Sequence, residues 1–359
     1  MLAAGNALSF LHIVRPEIDL PADTDEHDDA VYEMGASNLK QYADGAYSIR
    51  DEAPALYAYR LATDSHTQCG LFGCVSVAEY LDGTIRKHEN TRPPKVADRM
   101  RHIVTQRAHA EPVMLAYRNC ASVEEQIHGA QQHDPLYDFT AEDGVCHTLW
   151  PVHEYEALAG AFAAVSRLYI ADGHHRCQAA AEAHAALGME GSAGFPAVLF
   201  PADQMRILPY NRVVRVSGNA VSTIKAHTVP AASQTVPTRP GEVCVYVDGA
   251  WRTATLPATR RDSIADTLDV ARLSEFMLEP MFGIQDQRTD PSIEFVGGAR
   301  GTQALEQRVD ELRDAVAFSM YATSMQELMA VSDADRLMPP KSTWFEPKLR
   351  SGLLVNLID

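Results

Sequence analysis

Nine residues near the middle of the chain constrain the fold more than any others: Leu168-Tyr169-Ile170-Ala171-Asp172-Gly173-His174-His175-Arg176. Four apolar or aromatic positions stop at Asp-Gly. The alanine-rich stretch from His174 to Leu187 follows at once, with the composition of a helix. A strand that turns abruptly into a helix belongs to a protein in which helices pack on a sheet. The same junction carries chemistry. The first N–H groups of a helix lack intrahelical partners and sit at the positive end of its dipole, so they attract anions. Gly173 lets another group approach the backbone closely. His174, His175 and Arg176 add donors at the same point. A guanidinium can grip a phosphate through two parallel hydrogen bonds, and a histidine can donate to an oxyanion or move a proton near neutral pH. Asp172 has three possible roles: to cap the helix, to orient a histidine, or to hold a magnesium ion.

The rest of the chain alternates helix and strand signals, with hairpins among them. Helices are expected from about Ala30 to Tyr42, Val96 to Ala110, Ala121 to Ala130, Tyr155 to Ala164 and His174 to Leu187. Ala55–Leu61 and Cys69–Val77 form one expected hairpin. Glu242–Val247 and Trp251–Leu256 form another, because Asp248-Gly249 suits a tight type I′ turn. Further strands are expected at 112–117, 147–152, 195–200, 206–214, 292–296 and 316–319. The stretch from Ser217 to Pro240, rich in Ser, Thr, Ala and Pro, reads as a linker or variable loop. The predicted class is mixed α/β. A core of residues 1–216 carries the turn, residues 217–240 form the linker, and residues 241–359 form a C-terminal α/β region.

A net charge of −17 argues against nucleic acid and anionic membrane as partners. No apolar run approaches the ~20 residues of a membrane helix. The first residues show no signal-peptide pattern, and the six cysteines form no Cys-x-x-Cys pair. These features predict a cytoplasmic protein with reduced cysteines and a small-molecule substrate. Within this acidic chain the basic segments Arg86–Arg107 and Lys341–Arg350 are candidate anion sites. In the first, Glu89 stands among cations that would stabilise its ionised form, and Arg92 lies just beyond. In the second, Lys341 could reach a phosphate, while Trp344 could either stack on a base or pack the chain. Gly297-Gly298-Ala299-Arg300-Gly301 follows a strand and opens a helix. It matches neither a Walker loop nor Gly-x-Gly-x-x-Gly, and reads as a second anion nest or a plain tight turn.

Asp-Gly-His-His-Arg after a strand resembles the signature turn of the ParB/sulfiredoxin-like superfamily, whose members include nucleotide-binding partition proteins, sulfiredoxins and kinases of free serine. Ser9-Phe10-Leu11-His12, Lys87-His88-Glu89-Asn90-Thr91-Arg92, Tyr137-Asp138-Phe139-Thr140, Leu208-Pro209-Tyr210-Asn211-Arg212 and Met338-Pro339-Pro340-Lys341-Ser342-Thr343-Trp344-Phe345 resemble one family within reach of that superfamily, domain of unknown function 1015. Two departures stand out. Family members carry several tens of residues before the Ser-Phe-Leu-His stretch, and Cys177 stands where Tyr or Ser often follows the arginine. The resemblance implies a ParB/sulfiredoxin-like core and phosphoryl transfer to a small hydroxyl metabolite, with free serine the leading candidate. It further implies a nucleotide, ATP or ADP, and Mg2+. Gly173, His174, His175, Arg176, Arg92 and Lys341 would bind phosphate or nucleotide. Glu89 would act as base, His174 or His175 would stabilise charge, and Asp172 would hold metal or orient a histidine. A phosphoserine-type phosphatase and a non-catalytic nucleotide-binding module are the alternatives.

Overall fold

A computed structural model of the protein describes residues 3–46, 48–153, 155–216 and 219–358. The chain divides into two units, residues 1–205 with 347–359, and residues 206–346.

The first unit is built on eight strands: β1 (Tyr57–Thr63), β2 (His66–Ser76), β3 (Ile85–Arg86), β4 (Val113–Tyr117), β5 (Tyr137–Thr140), β6 (Cys146–Pro151), β7 (Leu168–Asp172) and β8 (Gly194–Pro201). They form one mixed sheet in the order β3-β7-β4-β8-β2-β1-β6-β5. β1 and β2 are the expected hairpin, with Thr63 opposite His66. Its helices of six residues or more are α1 (Asp29–Asp44), α2 (Val77–Asp82), α3 (Pro93–Gln106), α4 (Ala121–Ala130), α5 (Tyr155–Phe162) and α6 (His174–Leu187). Leu115, Ile170 and Ala197 from the sheet bury against Tyr80, Ile127, Leu158 and Cys177 from the helices. α3 and α6 share a second apolar cluster, Val96 and Ile103 with Ala179 and Ala183. The alanines of α6 therefore serve close helix packing as well as helix propensity.

β3 pairs in parallel with β7, Ile85 opposite Leu168 and Arg86 opposite Tyr169. Parallel strands end on the same side of a sheet. The loop after β3, which leads into α3, and the turn after β7, which leads into α6, therefore emerge at one sheet edge. The carboxyl ends of parallel strands are where open α/β sheets place ligands.

The second unit holds a six-stranded antiparallel sheet. Its members are β9 (Tyr210–Arg215), β10 (Val229–Pro230), β11 (Glu242–Val247), β12 (Ala250–Thr255), β13 (Ile293–Gly297) and β14 (Ala315–Met320), in the order β10-β12-β11-β14-β9-β13. Asp248 and Gly249 both have positive φ, 49° and 71°, as a type I′ hairpin requires. The helix Gln303–Leu312 buries Leu305 and Val309 against Val213, Val296 and Ala317.

The expected domain boundaries differ from those observed. The first break falls after Met205, because Ile207–Leu208 pairs with Trp344–Phe345 of the second unit. The described residues of 217–240, expected as a linker or variable loop, lie within the second unit. Ser217 and Gly218 lie outside the described residues, but Ala220–His227 is a helix that buries Ala220 and Ile224, and β10 follows it. One apolar pair four residues apart is too weak a periodicity to stand out in so polar a stretch. The last residues return to the first unit, where Asn356–Leu357 pairs with Ala108–His109.

Candidate active site

The turn after β7 depends on Gly173. Its φ is +106°, and a Cβ there would lie 3.0 Å from Val113 Cγ1. The left-handed residue lets the chain leave the strand and enter α6 with no intervening loop. The first intrahelical bond runs from Cys177 N–H to the Gly173 carbonyl, 3.0 Å. The N–H groups of His174, His175 and Arg176 thus precede the helical ladder, as an anion site at a helix start needs.

Asp172 does not cap this helix. The N-cap position is Gly173, with no side-chain cap. Asp172 is the last residue of β7, one position too early. Its carboxylate meets Arg176 Nη2 at 2.9 Å and Lys348 Nζ at 3.5 Å. Arg176 is also tied to the Pro112 carbonyl through Nη1. The guanidinium therefore braces the turn against the start of β4, rather than extending both donors outward.

The loop after β3 comes directly onto the turn. The backbone N–H of His88 donates to His174 Nε2 at 3.4 Å, and that of Arg92 donates to His175 Nε2 at 3.0 Å. The rings of His88 and His174 meet edge to face with centroids 4.4 Å apart. Both rings are buried. Burial pushes His88 down to about 4, although the Asp172 charge and a hydrogen bond to the Ile170 backbone pull the other way. Burial, followed by the charges of His88, His175 and Lys87, holds His174 well below the usual histidine range. Both rings are accordingly neutral at pH 7. Ligand atoms of His88, Glu89 and His174 lie within 4.8 Å of one another.

Glu89, His174, His175, Gly173, Asp172 and the Arg92 backbone are thus gathered at one sheet edge. The Arg92 side chain is exposed at the start of α3. Lys341 belongs to the second unit, where its Nζ sits 5.2 Å from the Tyr210 ring centre. Trp344 packs in that same unit, edge-on to Tyr210 and against Gly297, where a Cβ would lie 2.6 Å from its ring. Gly298 donates to the Pro209 carbonyl. The glycines at 297–298 therefore serve tight packing. Asn211 and Arg212 are buried structural groups: Asn211 Oδ1 accepts from Met320 N–H at 3.0 Å, and Arg212 donates to the carbonyls of Tyr210 and Lys341. Sequence reasoning gave His88 no role. Its signal lay in the two-residue strand Ile85–Arg86, too short to read, which delivers the loop to β7.

A mixed α/β sheet with a strand–glycine–helix turn at the carboxyl ends of two parallel strands defines the class of this protein. A family model described as "Protein of unknown function (DUF1015)" matches residues 1–271, and the chain belongs to that family. No curated protein matches it. Among solved structures it is similar to SbnI with C-terminal truncation from Staphylococcus aureus, at 15% identity over 80% of this chain and 87% of that one, TM-score 0.42. It is also similar to a free serine kinase in complex with AMP, at 11% identity over 84% and 91%, TM-score 0.39. A conserved hypothetical protein from Pyrococcus furiosus gives 12% identity over 78% and 93%, TM-score 0.37. Among the described residues no helix is long and apolar enough to cross a membrane.

Proposed function

We propose that the protein is a phosphoryl-transfer enzyme acting on a small hydroxyl metabolite, with free serine the leading acceptor and a nucleotide, ATP or ADP, the donor. The observation that carries this reading is the convergence of a carboxylate-bearing loop on a glycine-started helix. Glu89 and His174 offer ligand atoms within 4.8 Å of each other, beside the N–H groups that open α6. Phosphoryl transfer asks the protein for little covalent chemistry. It asks for charge stabilisation on the transferred group and a proton acceptor for the attacking hydroxyl.

The backbone at Gly173–His175 would hold the phosphoryl oxygens, with His175 as an adjacent donor and the Arg176 guanidinium, which braces the turn, supplying positive charge beside them. His174, neutral and buried, would donate without carrying charge. Glu89 would take the proton from the acceptor hydroxyl. Arg92 is the further cation proposed for the nucleotide. Such a donor brings Mg2+ with its phosphates, and the partly exposed carboxylate of Asp172 is an oxygen ligand of the kind that ion prefers. The choice of serine rests on the resemblance of the Asp-Gly-His-His-Arg turn. Water in place of serine would make the same groups a phosphatase.

The test is phosphorus NMR of the purified protein with Mg2+, ATP or ADP and a panel of amino acids, repeated with phosphoserine alone. The expected result is a new phosphomonoester resonance with serine, lowered roughly 10- to 100-fold in Arg176→Ala, as the loss of a charge-assisted hydrogen bond implies. Absence of both transfer and hydrolysis, or full activity in Arg176→Ala, overturns the reading.

A further inference from the structure

We propose that His88, Glu89 and His174 form a three-ligand site for a divalent transition-metal ion such as Zn2+, Mn2+ or Fe2+. Two imidazoles and one carboxylate are a donor set that leaves coordination positions open for water or a substrate oxygen. The three ligand atoms already lie within 4.8 Å of one another. Small side-chain rotations close that spread to the roughly 3–3.5 Å between neighbouring ligands placed 2.0–2.2 Å from an ion.

Three further features point the same way. First, His88 Nδ1 is buried and has no hydrogen-bond partner among the described residues. A buried polar atom left unpaired costs about 1–3 kcal/mol and calls for an explanation. Second, the Ile170 backbone accepts a hydrogen bond from the His88 ring. Metal-bound histidines are held by such a bond, which fixes the ring and leaves the other nitrogen as the donor of electrons. Third, among the described residues, His174 Nε2 is held by the long 3.4 Å contact from the His88 backbone alone. Edge-to-face packing of two rings explains their 4.4 Å separation. It explains neither the unpaired Nδ1 nor the adjacent carboxylate.

The nitrogen-rich donor set selects against Mg2+ and Ca2+, which take oxygen ligands. The site therefore differs from a nucleotide-borne Mg2+ at Asp172. Its chemical use rests on the phosphoryl-transfer reading: an ion here would polarise a phosphoryl oxygen held by the turn. A carboxylate that binds the ion through one oxygen keeps the second for a proton, so Glu89 can serve both roles. Metal binding itself does not depend on that reading.

The experiment uses full-length protein dialysed against a chelator and titrated with Co2+ alone, without nucleotide, followed by visible absorption. The expected result is saturation at one equivalent, with d–d bands that Zn2+ abolishes by displacement. The same Zn2+ raises the unfolding temperature. Glu89→Gln, at a partly exposed position, should weaken Co2+ binding by at least about tenfold while its metal-free unfolding stays that of the parent. His88→Gln and His174→Gln should abolish binding. Because these two rings are buried, Glu89→Gln decides should either variant fail to fold. No stoichiometric Co2+ or Zn2+ binding, or undiminished affinity in Glu89→Gln, overturns the proposal. A protein that binds one Co2+ yet gives no phosphorus transfer or hydrolysis keeps the metal site and loses the phosphoryl-transfer reading. Transfer without Co2+ or Zn2+ binding does the reverse.

Discussion

Gly173 carries the largest conformational demand in the site. A non-glycine residue in the left-handed region costs roughly 1–2 kcal/mol, and here its Cβ would also press on Val113. Gly173→Ala should therefore lower the unfolding free energy by at least that amount in urea titration; unchanged stability would mean that the turn relaxes freely. A second residue-scale prediction concerns acid. Burial pushes His109 down to about 4 from an ordinary 6.5. Its ring stays neutral in the folded protein while the unfolded chain takes up a proton below pH 6.5. Stability should be flat above that pH and fall between 6.5 and 4, by up to about 3 kcal/mol for this residue. His109→Leu should make the acid limb of a stability–pH curve shallower, and an identical curve would contradict the assignment. His147, also pushed down to about 4 by burial and then by Arg350, contributes in the same direction and should leave a residual slope. At this scale the sequence was most legible where chemistry is contiguous, as from Asp172 to Arg176. It was silent where a residue acts through a partner 86 positions away, as His88 does with His174. Composition also cannot tell a cap from a brace: Asp172 had the residue type of a cap, but its place at the end of β7 sets it against Arg176 and Lys348.

Elements with a strong local signal formed as their sequences imply. Ala121–Ala130 and His174–Leu187 are helices over those residues, and Asp248-Gly249 turns the hairpin of the second unit. Shorter or masked signals were missed. The helical run from Asp269 to Phe282 is interrupted by a π turn at Ser274–Leu278 and contains Pro280, so no single period describes it. Val77–Asp82 begins at the last residue of what reads as a strand, Cys69–Val77, and is too short to show a helical period. The helix Met325–Asp333 carries a capping box in which Ser324 Oγ accepts from Glu327 N–H at 3.2 Å and Glu327 accepts from Ser324 N–H at 2.8 Å. Ser324→Ala should cost about 1 kcal/mol in equilibrium unfolding. A cost near zero would show that packing of Leu328 and Val331 alone fixes the helix start.

On the scale of the whole molecule, the C-terminal residues belong to the first unit and not to the unit that precedes them. Asn356–Leu357 pairs with Ala108–His109, Ile358 is buried, and Lys348 reaches Asp172. Removing residues 347–359 should destabilise the first unit by at least about 2 kcal/mol, the value of burying one isoleucine, and lower its unfolding temperature in calorimetry. An unshifted first-unit transition would contradict this. A return of this kind leaves no trace in local pattern, because it is fixed by pairing across more than two hundred residues. The central claim is that anion recognition belongs to the turn at Gly173 and not to the glycine-rich turn at 297–301, whose glycines at 297–298 are filled by Trp344 and Pro209. The most direct measurement is a TROSY amide map of the isotope-labelled protein during titration with inorganic phosphate and with ADP. Saturable shifts concentrated at the amides of Gly173, His174, His175 and Arg176, with Gly298–Gly301 unmoved, are predicted. Shifts centred on Gly298–Gly301, or none at Gly173–Arg176 at saturating ligand, would contradict the account.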